Sequence, residues 1–380
     1  MKRILLIPSS MEGGVYYYRI YTPFKRLVEL YEDEFDITIN NNWNFNDEQK
    51  DYIGKNYDVV VFHQCLYVSK FQDEVWKMIV YCKKEYGTRF VLDLDDYWSY
   101  PKIHPAYDIC AFNAFPDKMM INLKLFDYVT TTTKYFMDVI SEYFDKEKIE
   151  VFENAISDDD EQFSMKKSES TKLRLGLTGG SSHTEDIKQI LDFPKYLTMK
   201  QLNGIELVFC GYNDKDAKEV TIDEDGKIVS EEDIPRNKNW WCITEDKFKE
   251  RIKNYRRVES KNIVKGEFGK IYEDIDVLLV PLCGGIFNRC KSELKFIEAG
   301  YTNTAVIASD VIPYNNFGVD KESCILVKKP RPELWAKAIK KILRDKSLLE
   351  KIRENNNSLV KKYRNLDDIT KKRYYFYKRI

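Results

Sequence analysis

Short apolar runs alternate with longer amphipathic stretches along this chain, and that rhythm limits the possible folds more than any other feature. Residues 4–7, 58–62, 90–92, 128–130 and 149–152 are short runs bounded by Gly, Pro, Asn or Asp. Apolar side chains at successive positions suit strands buried on both faces, as in a parallel sheet. Between the runs, residues 18–31, 70–86, 117–126 and 134–144 carry helical periodicity. The order is βαβα, which predicts a doubly wound α/β domain.

A polar, acidic stretch then interrupts the pattern, with Ser157, Asp158, Asp159, Asp160 and Glu161 followed by Lys166, Lys167, Ser168, Glu169 and Ser170. Such a segment reads as a linker. Alternation resumes with apolar runs at 172–177, 205–210, 263–265, 277–281, 305–308 and 324–327. The sequence therefore predicts two Rossmann-like domains facing a cleft. Residues 1–156 form the first, 157–171 the linker, 172–345 the second, and C-terminal helices over 346–380 pack back toward the first. Alternation over 220–230 around Asp225-Gly226 predicts an inserted hairpin.

Composition agrees with two ordinary cores. The chain has 380 residues, 43% apolar and 14% aromatic, more than one core usually serves. Its 61 Lys and Arg nearly balance 62 Asp and Glu, for a formal charge of -1. The net positive field of a dedicated nucleic-acid binder is therefore missing. One basic stretch stands out at the C-terminus, where Lys371, Lys372, Arg373, Lys378 and Arg379 flank Tyr374, Tyr375, Phe376 and Tyr377. It reads as an amphipathic last helix or, alternatively, as a surface for DNA, another anionic acceptor or a peripheral membrane contact. The eight cysteines are scattered without Cys-x-x-Cys or zinc-ligand spacing. That pattern predicts no metal site and small buried thiols in a reducing compartment. No apolar run has secretory or membrane-spanning length, so a soluble, cytoplasmic protein is expected.

Ligands of doubly wound sheets bind beyond the carboxyl ends of the strands, so the segments after each run hold the candidate chemistry. Gly13 and Gly14 follow the first run and permit close backbone approach. They depart from the spaced three-glycine fingerprint, which disfavours a nicotinamide dehydrogenase. Asp93, Asp95 and Asp96 precede Tyr97 and Trp98; clustered carboxylates there either serve a ligand or act as caps and turn formers. Two aspartates could hold a divalent metal, yet no further ligand cluster completes such a site. Gly179, Gly180, Ser181, Ser182 and His183 form a turn that suits a phosphate at a helix start, or that merely caps the helix.

The most informative stretch is 276–300, a buried strand, a Gly284-Gly285 loop and a helix predicted to start near Lys291. Lys291, Lys295 and Glu298 would then share one helical face. Two ammonium groups and a helix start suit a diphosphate, and an acceptor-only carboxylate suits a ribose diol.

The run Phe287-Asn288-x-Cys290-Lys291-Ser292-x-x-Lys295-x-x-Glu298, with Val306 to Ser309 and Pro313-Tyr314, resembles the donor-binding signature of GT-B glycosyltransferases related to glycosyltransferase family four. The likeness extends to Tyr17-Tyr18-Arg19-Ile20, Asp93 to Trp98, Thr131 to Thr133, Asn154, and Gly179 to Asp186 with His183. It implies a retaining, metal-independent transferase with no cofactor and a nucleotide-diphosphate sugar as co-substrate. By that likeness Glu298 takes the ribose, Lys291, Ser292 and Lys295 the diphosphate, and Gly13 and Gly14 close over it. Arg19, Gly180, Ser181 and His183 fall in the matching substrate-binding segments. The usual motif has a glutamate where this chain has Cys290, so Asn288 or Glu293 would share in positioning the sugar. Asp95 or Asp96 is the expected group for orienting or deprotonating the acceptor, and His63 a further one. The acceptor would be a surface glycan or, alternatively, a modified nucleobase in DNA. A catalytically silent binding module is the rival from another class.

Overall fold

Six strands form the first sheet: β1 (Lys2–Ile7), β2 (Phe35–Ile39), β3 (Val59–His63), β4 (Arg89–Leu94), β5 (Tyr128–Thr131) and β6 (Ile149–Val151). Their order is β2-β1-β3-β4-β5-β6, and every pairing is parallel. The computed structural model describes the chain except residues 42–44, 65–71, 181–182, 211–217, 223–227 and 260. A second all-parallel sheet has the order β11-β8-β7-β12-β13-β14. It comprises β7 (Leu173–Thr178), β8 (Ile205–Cys210), β11 (Tyr255–Val258), β12 (Val277–Val280), β13 (Ala305–Ser309) and β14 (Ile325–Val327).

The apolar runs become strands for the expected reason. Every residue of β3, β12 and β13 is buried, so uninterrupted Val, Ile and Leu pack helices on both faces. Strand order reverses beside β1 in the first sheet and beside β7 in the second, which opens a crevice beyond β1 and β3 and another beyond β7 and β12.

Two expectations change. Residues 263–265 form a turn, not a strand: Ile263 packs with Tyr17 and Phe163, and Gly266 at φ 73° reverses the chain. The strand in that part of the sheet is β11, a polar edge whose Arg256 pairs with Glu206 at 3.2 Å and with Asp274 at 2.6 Å. The hairpin strands β9 (Lys218–Ile222) and β10 (Ile228–Asp233) do pair antiparallel, while the expected Asp225-Gly226 turn lies outside the described residues.

Near the C-terminus, the helix Lys346–Tyr363 packs on the helix Leu294–Tyr301. A Cβ on Gly300 would meet Val360 Cγ2 at 2.5 Å, so only glycine admits this contact. The chain then passes back to the first sheet. Ile156 N–H donates to Arg364 O at 3.2 Å and Leu366 N–H to Ile156 O at 3.0 Å, which pairs the returning strand with the outgoing one. The last helix, Leu366–Arg379, covers the first sheet with Phe376 and Tyr377 packed among Phe24, Leu27 and Phe152. Its flanking charges are paired: Lys372 with Glu153 at 2.9 Å and Lys378 with Glu34 at 2.8 Å. Tyr374 stacks on Tyr31 with centroids 4.0 Å apart. The basic aromatic tail is thus largely an intramolecular contact. No described helix is long and apolar enough to cross a membrane.

Candidate functional site

Three loops of the first sheet converge at its switch point. His63 ends β3, and its Nδ1 lies 3.1 Å from Ser9 Oγ, just beyond β1. His63 Nε2 is 3.4 Å from Asp95 Oδ1, which also accepts from Gln64. Burial and the neighbouring Asp95 raise Asp96 to about 6, although Lys291 and His63 oppose that shift. Asp96 thus changes charge near neutrality.

Asp93 belongs to a different cluster. It faces inward and accepts from Arg19 Nε at 2.9 Å, from Arg19 Nη2 at 2.6 Å and from Thr130 Oγ1 at 2.5 Å. Burial pushes its carboxyl up, but Arg19 more than reverses that and holds it at about 2. Arg19 is 1% exposed, and its Nη1 donates to Phe152 O at 2.5 Å and Asn154 Oδ1 at 3.2 Å. The structure therefore places Arg19 beneath the site, connected to it through Asn154, whose Nδ2 donates to Ser292 Oγ at 2.9 Å.

Gly13, at φ 79°, starts the helix Gly13–Tyr16, and a Cβ on it would meet nothing within 4 Å. A π-helical turn, Tyr17–Tyr21, continues that helix. It buries Tyr18, whose Oη donates to Glu298 Oε1 at 2.9 Å. Tyr272 Oη donates to Glu298 Oε2 at 2.7 Å. Burial raises Glu298 despite these two donors.

At the second switch point, β7 runs into Gly179 at φ 148°. A Cβ there would lie 2.8 Å from His183 Cδ2 and 3.3 Å from Lys295 Nζ, so side chains crowd this backbone. Lys295 Nζ donates to Thr178 O at 2.8 Å, and burial lowers it to about 8. His183 Nδ1 is 2.7 Å from Asp186 Oδ2. Burial, with Lys295 adding to it, lowers His183 to about 3, so the ring is neutral, donates from Nδ1 and leaves Nε2 as an acceptor. The other Asp186 oxygen accepts from Cys283 N–H at 2.6 Å and from Asn288 Nδ2 at 3.4 Å. Gly180 is exposed with open space around it, and Ser181 lies outside the described residues.

The lysine segment is not built as expected. A short helix, Ile286–Arg289, follows Gly285 at φ 137°, residues 291–293 are non-helical, and the next helix begins at Leu294. Lys291 therefore precedes the helix and does not share a helical face with Lys295 and Glu298. Its Nζ sits 4.9 Å from the centroid of the Phe287 ring. Its charge is felt at Asp96 and His104 on one side and at His183 and Lys295 on the other. Lys291 thus stands between the loops of the two sheets. Cys290 is fully buried with Tyr97 and Trp98, and burial pushes its thiol up to about 12. It packs into the apolar core of the first half. Glu293 is bound by Arg364.

Sequence reasoning assigned no role to four residues of this region. His104 stacks on Tyr100 with centroids 4.2 Å apart and meets Phe287 at 5.4 Å; the prolines on either side of it were its only local signal. Asp186 was legible as a carboxylate three residues after His183. Nothing local marks Tyr18 or Tyr272 as partners of Glu298.

No family model matches the chain, and no curated protein matches it. Solved structures do resemble it in fold. One is HepE of Anabaena, in complex with UDP and glucose, with TM-score 0.64, 10% identity and complete coverage of both chains. A glycosyltransferase from Rickettsia africae has TM-score 0.64 and 14% identity, covering 100% of this chain and 98% of its own. Sucrose-phosphate synthase from Thermosynechococcus elongatus has TM-score 0.64 and 13% identity, covering 100% and 99%. The architecture is therefore GT-B, two parallel six-stranded sheets with C-terminal helices.

Proposed function

We propose that the chain is a glycosyltransferase that moves a sugar from a nucleotide-diphosphate donor to an acceptor hydroxyl, with retention and without a metal. The observation that carries this reading is that Lys291 Nζ lies 4.9 Å from the centroid of Phe287, a ring packed on His104 of the first half, while its charge also acts on Lys295 and His183 of the second. As the bond between the anomeric carbon and the diphosphate oxygen breaks, negative charge grows on the leaving group. Two ammonium groups in a low-dielectric crevice stabilise it most at that moment. The acceptor oxygen bonds to the anomeric carbon, oriented by Asp95 with His63 behind it, and gives up its proton to the Asp96 carboxylate. UDP-sugars are the first donors to test, because HepE was solved with UDP and glucose. A glycan hydroxyl is the favoured acceptor, since the tail that suggested DNA is packed against the first sheet.

Lys291→Ala tests the reading. Turnover of a UDP-sugar should fall by about ten- to a hundredfold, the range for losing a charged hydrogen bond, with an unchanged unfolding transition. Unaltered kinetics would sink the assignment. Cys290 in place of an acid favours one second reading, a silent nucleotide-binding module; it would show UDP binding with neither transfer nor donor hydrolysis.

A further inference from the structure

The edge of the second sheet carries a charge pattern that the proposed transfer reaction does not use. A shallow cavity of about 470 Å³ lies between β14 and the helix Pro332–Arg344. Its floor is apolar, formed by Ile325, Leu326, Val327 and Leu334, and its rim carries Lys321, Lys328, Lys329, Arg331, Lys337 and Lys341. Asp320 is the one acid lining it. All six cations belong to exposed residues. Arg331 is paired with Glu333, and Lys321 lies 3.7 Å from Asp320. Lys328, Lys329, Lys337 and Lys341 have no ion-pair partner among the described residues. In a chain whose formal charge is -1, four cations without an ion-pair partner in one place, with only Asp320 lining the cavity as an acid, form a locally positive patch.

We propose that this rim docks the protein on an anionic phospholipid surface. Charge complementarity selects an anionic occupant. Lys337 and Lys341, at i and i+4, share one helical face, while Lys328 and Lys329 leave the neighbouring edge strand. The cations therefore come from two elements around an apolar strip, and a flat array of headgroup phosphates can meet them together. Lysine stems lie along apolar surface while their ammonium groups reach outward, which is how basic residues sit at a lipid interface. The tail helix, the other basic segment, is committed to the first sheet. This inference is independent of the proposed catalysis.

Vesicle sedimentation with the full chain tests it. The protein should pellet with vesicles containing phosphatidylglycerol, stay in solution with pure phosphatidylcholine, and lose retention as salt rises toward molar concentration, where screening is nearly complete. The variant K328E/K329E/K337E/K341E should lose more than about tenfold in partition coefficient, with its unfolding midpoint and its UDP affinity as controls. Should four reversals compromise folding, K337E/K341E alone gives a smaller loss in the same direction. Equal partition of wild type and a folded variant overturns the proposal, as does equal retention on both vesicle types or on neither. Rim-dependent binding of soluble polyglutamate without vesicle retention also overturns it, in favour of an acidic protein partner.

Discussion

Tyr18 and Glu298 are 280 positions apart in the chain, yet the Tyr18 hydroxyl donates to Glu298 Oε1 at 2.9 Å inside a fully enclosed contact. With Tyr272 on the other oxygen, the carboxylate that resembles a ribose ligand already holds two donors. If Glu298 takes a ribose diol, the diol would have to share these oxygens' remaining lone pairs or displace Tyr18.

Removing one donor from a buried carboxylate has a defined cost and a defined pH dependence. Tyr18→Phe should destabilise the chain by about 1–3 kcal/mol at neutral pH. Glu298 is already raised in the folded state, and losing a donor raises it further. A raised carboxyl penalises folding above its unfolded range and not below it. Urea titrations should show the difference from wild type shrinking between pH 7 and about pH 4; a constant difference refutes the hydrogen bond's role.

Asp96 sets activity and stability against each other. Its folded pKa, about 6, lies above the ordinary carboxyl range, so the folded state loses stability as pH rises through that interval. Asp96→Asn should therefore gain up to about 3 kcal/mol at pH 7.5, and little near pH 4. The same variant should lose about 10²–10⁴-fold in kcat if Asp96 handles the acceptor proton. Wild-type kcat/KM should fall below about pH 6, where Asp96 takes up its proton.

Lys295 is charged only below about pH 8 in the ligand-free protein. Its contribution to diphosphate binding should fade as pH rises past that value, while the phosphate groups of UDP are already ionised by pH 7. Calorimetry at pH 7 and pH 9 should show affinity falling by up to about tenfold. Lys295→Met should bind more weakly at pH 7 and show no such decline.

The two buried arginines beneath the site differ in kind. Arg19 is paired with Asp93, whereas Arg373 stacks on Phe152 at 4.6 Å, and its Nε and Nη2 lack hydrogen-bond partners. Burial, with Arg19 adding to it, lowers Arg373 to about 10. Arg19→Met should cost about 3–5 kcal/mol by stranding a buried carboxylate, while Arg373→Met should be nearly neutral in denaturant unfolding. Equal losses contradict the difference.

The strands of both sheets were legible because parallel strands covered on two faces must be continuously apolar. β11 was not legible, since Tyr255, Arg256, Arg257 and Val258 form an edge sustained by Glu206 and Asp274, and polar edges carry no apolar signature. Residues 263–265 misled for the converse reason: their apolar side chains fill the junction between the halves. In the site, residue types were readable and geometry was not. Helical spacing placed Lys291 on a face with Lys295, but the segment Lys291–Glu293 is non-helical. Glu298 was visible as an acceptor, while its tyrosines lie far away in sequence.

The backbone passes between the halves twice, and at Ile156 and Asn365 the outgoing and returning strands are bonded side by side. A single tether would let the lobes swivel freely. Two tethers fused at one joint act like the knuckles of a door hinge, leaving one easy axis of rotation. Substrate entry would then be a swing about that joint, with residues near it controlling how wide the gap opens.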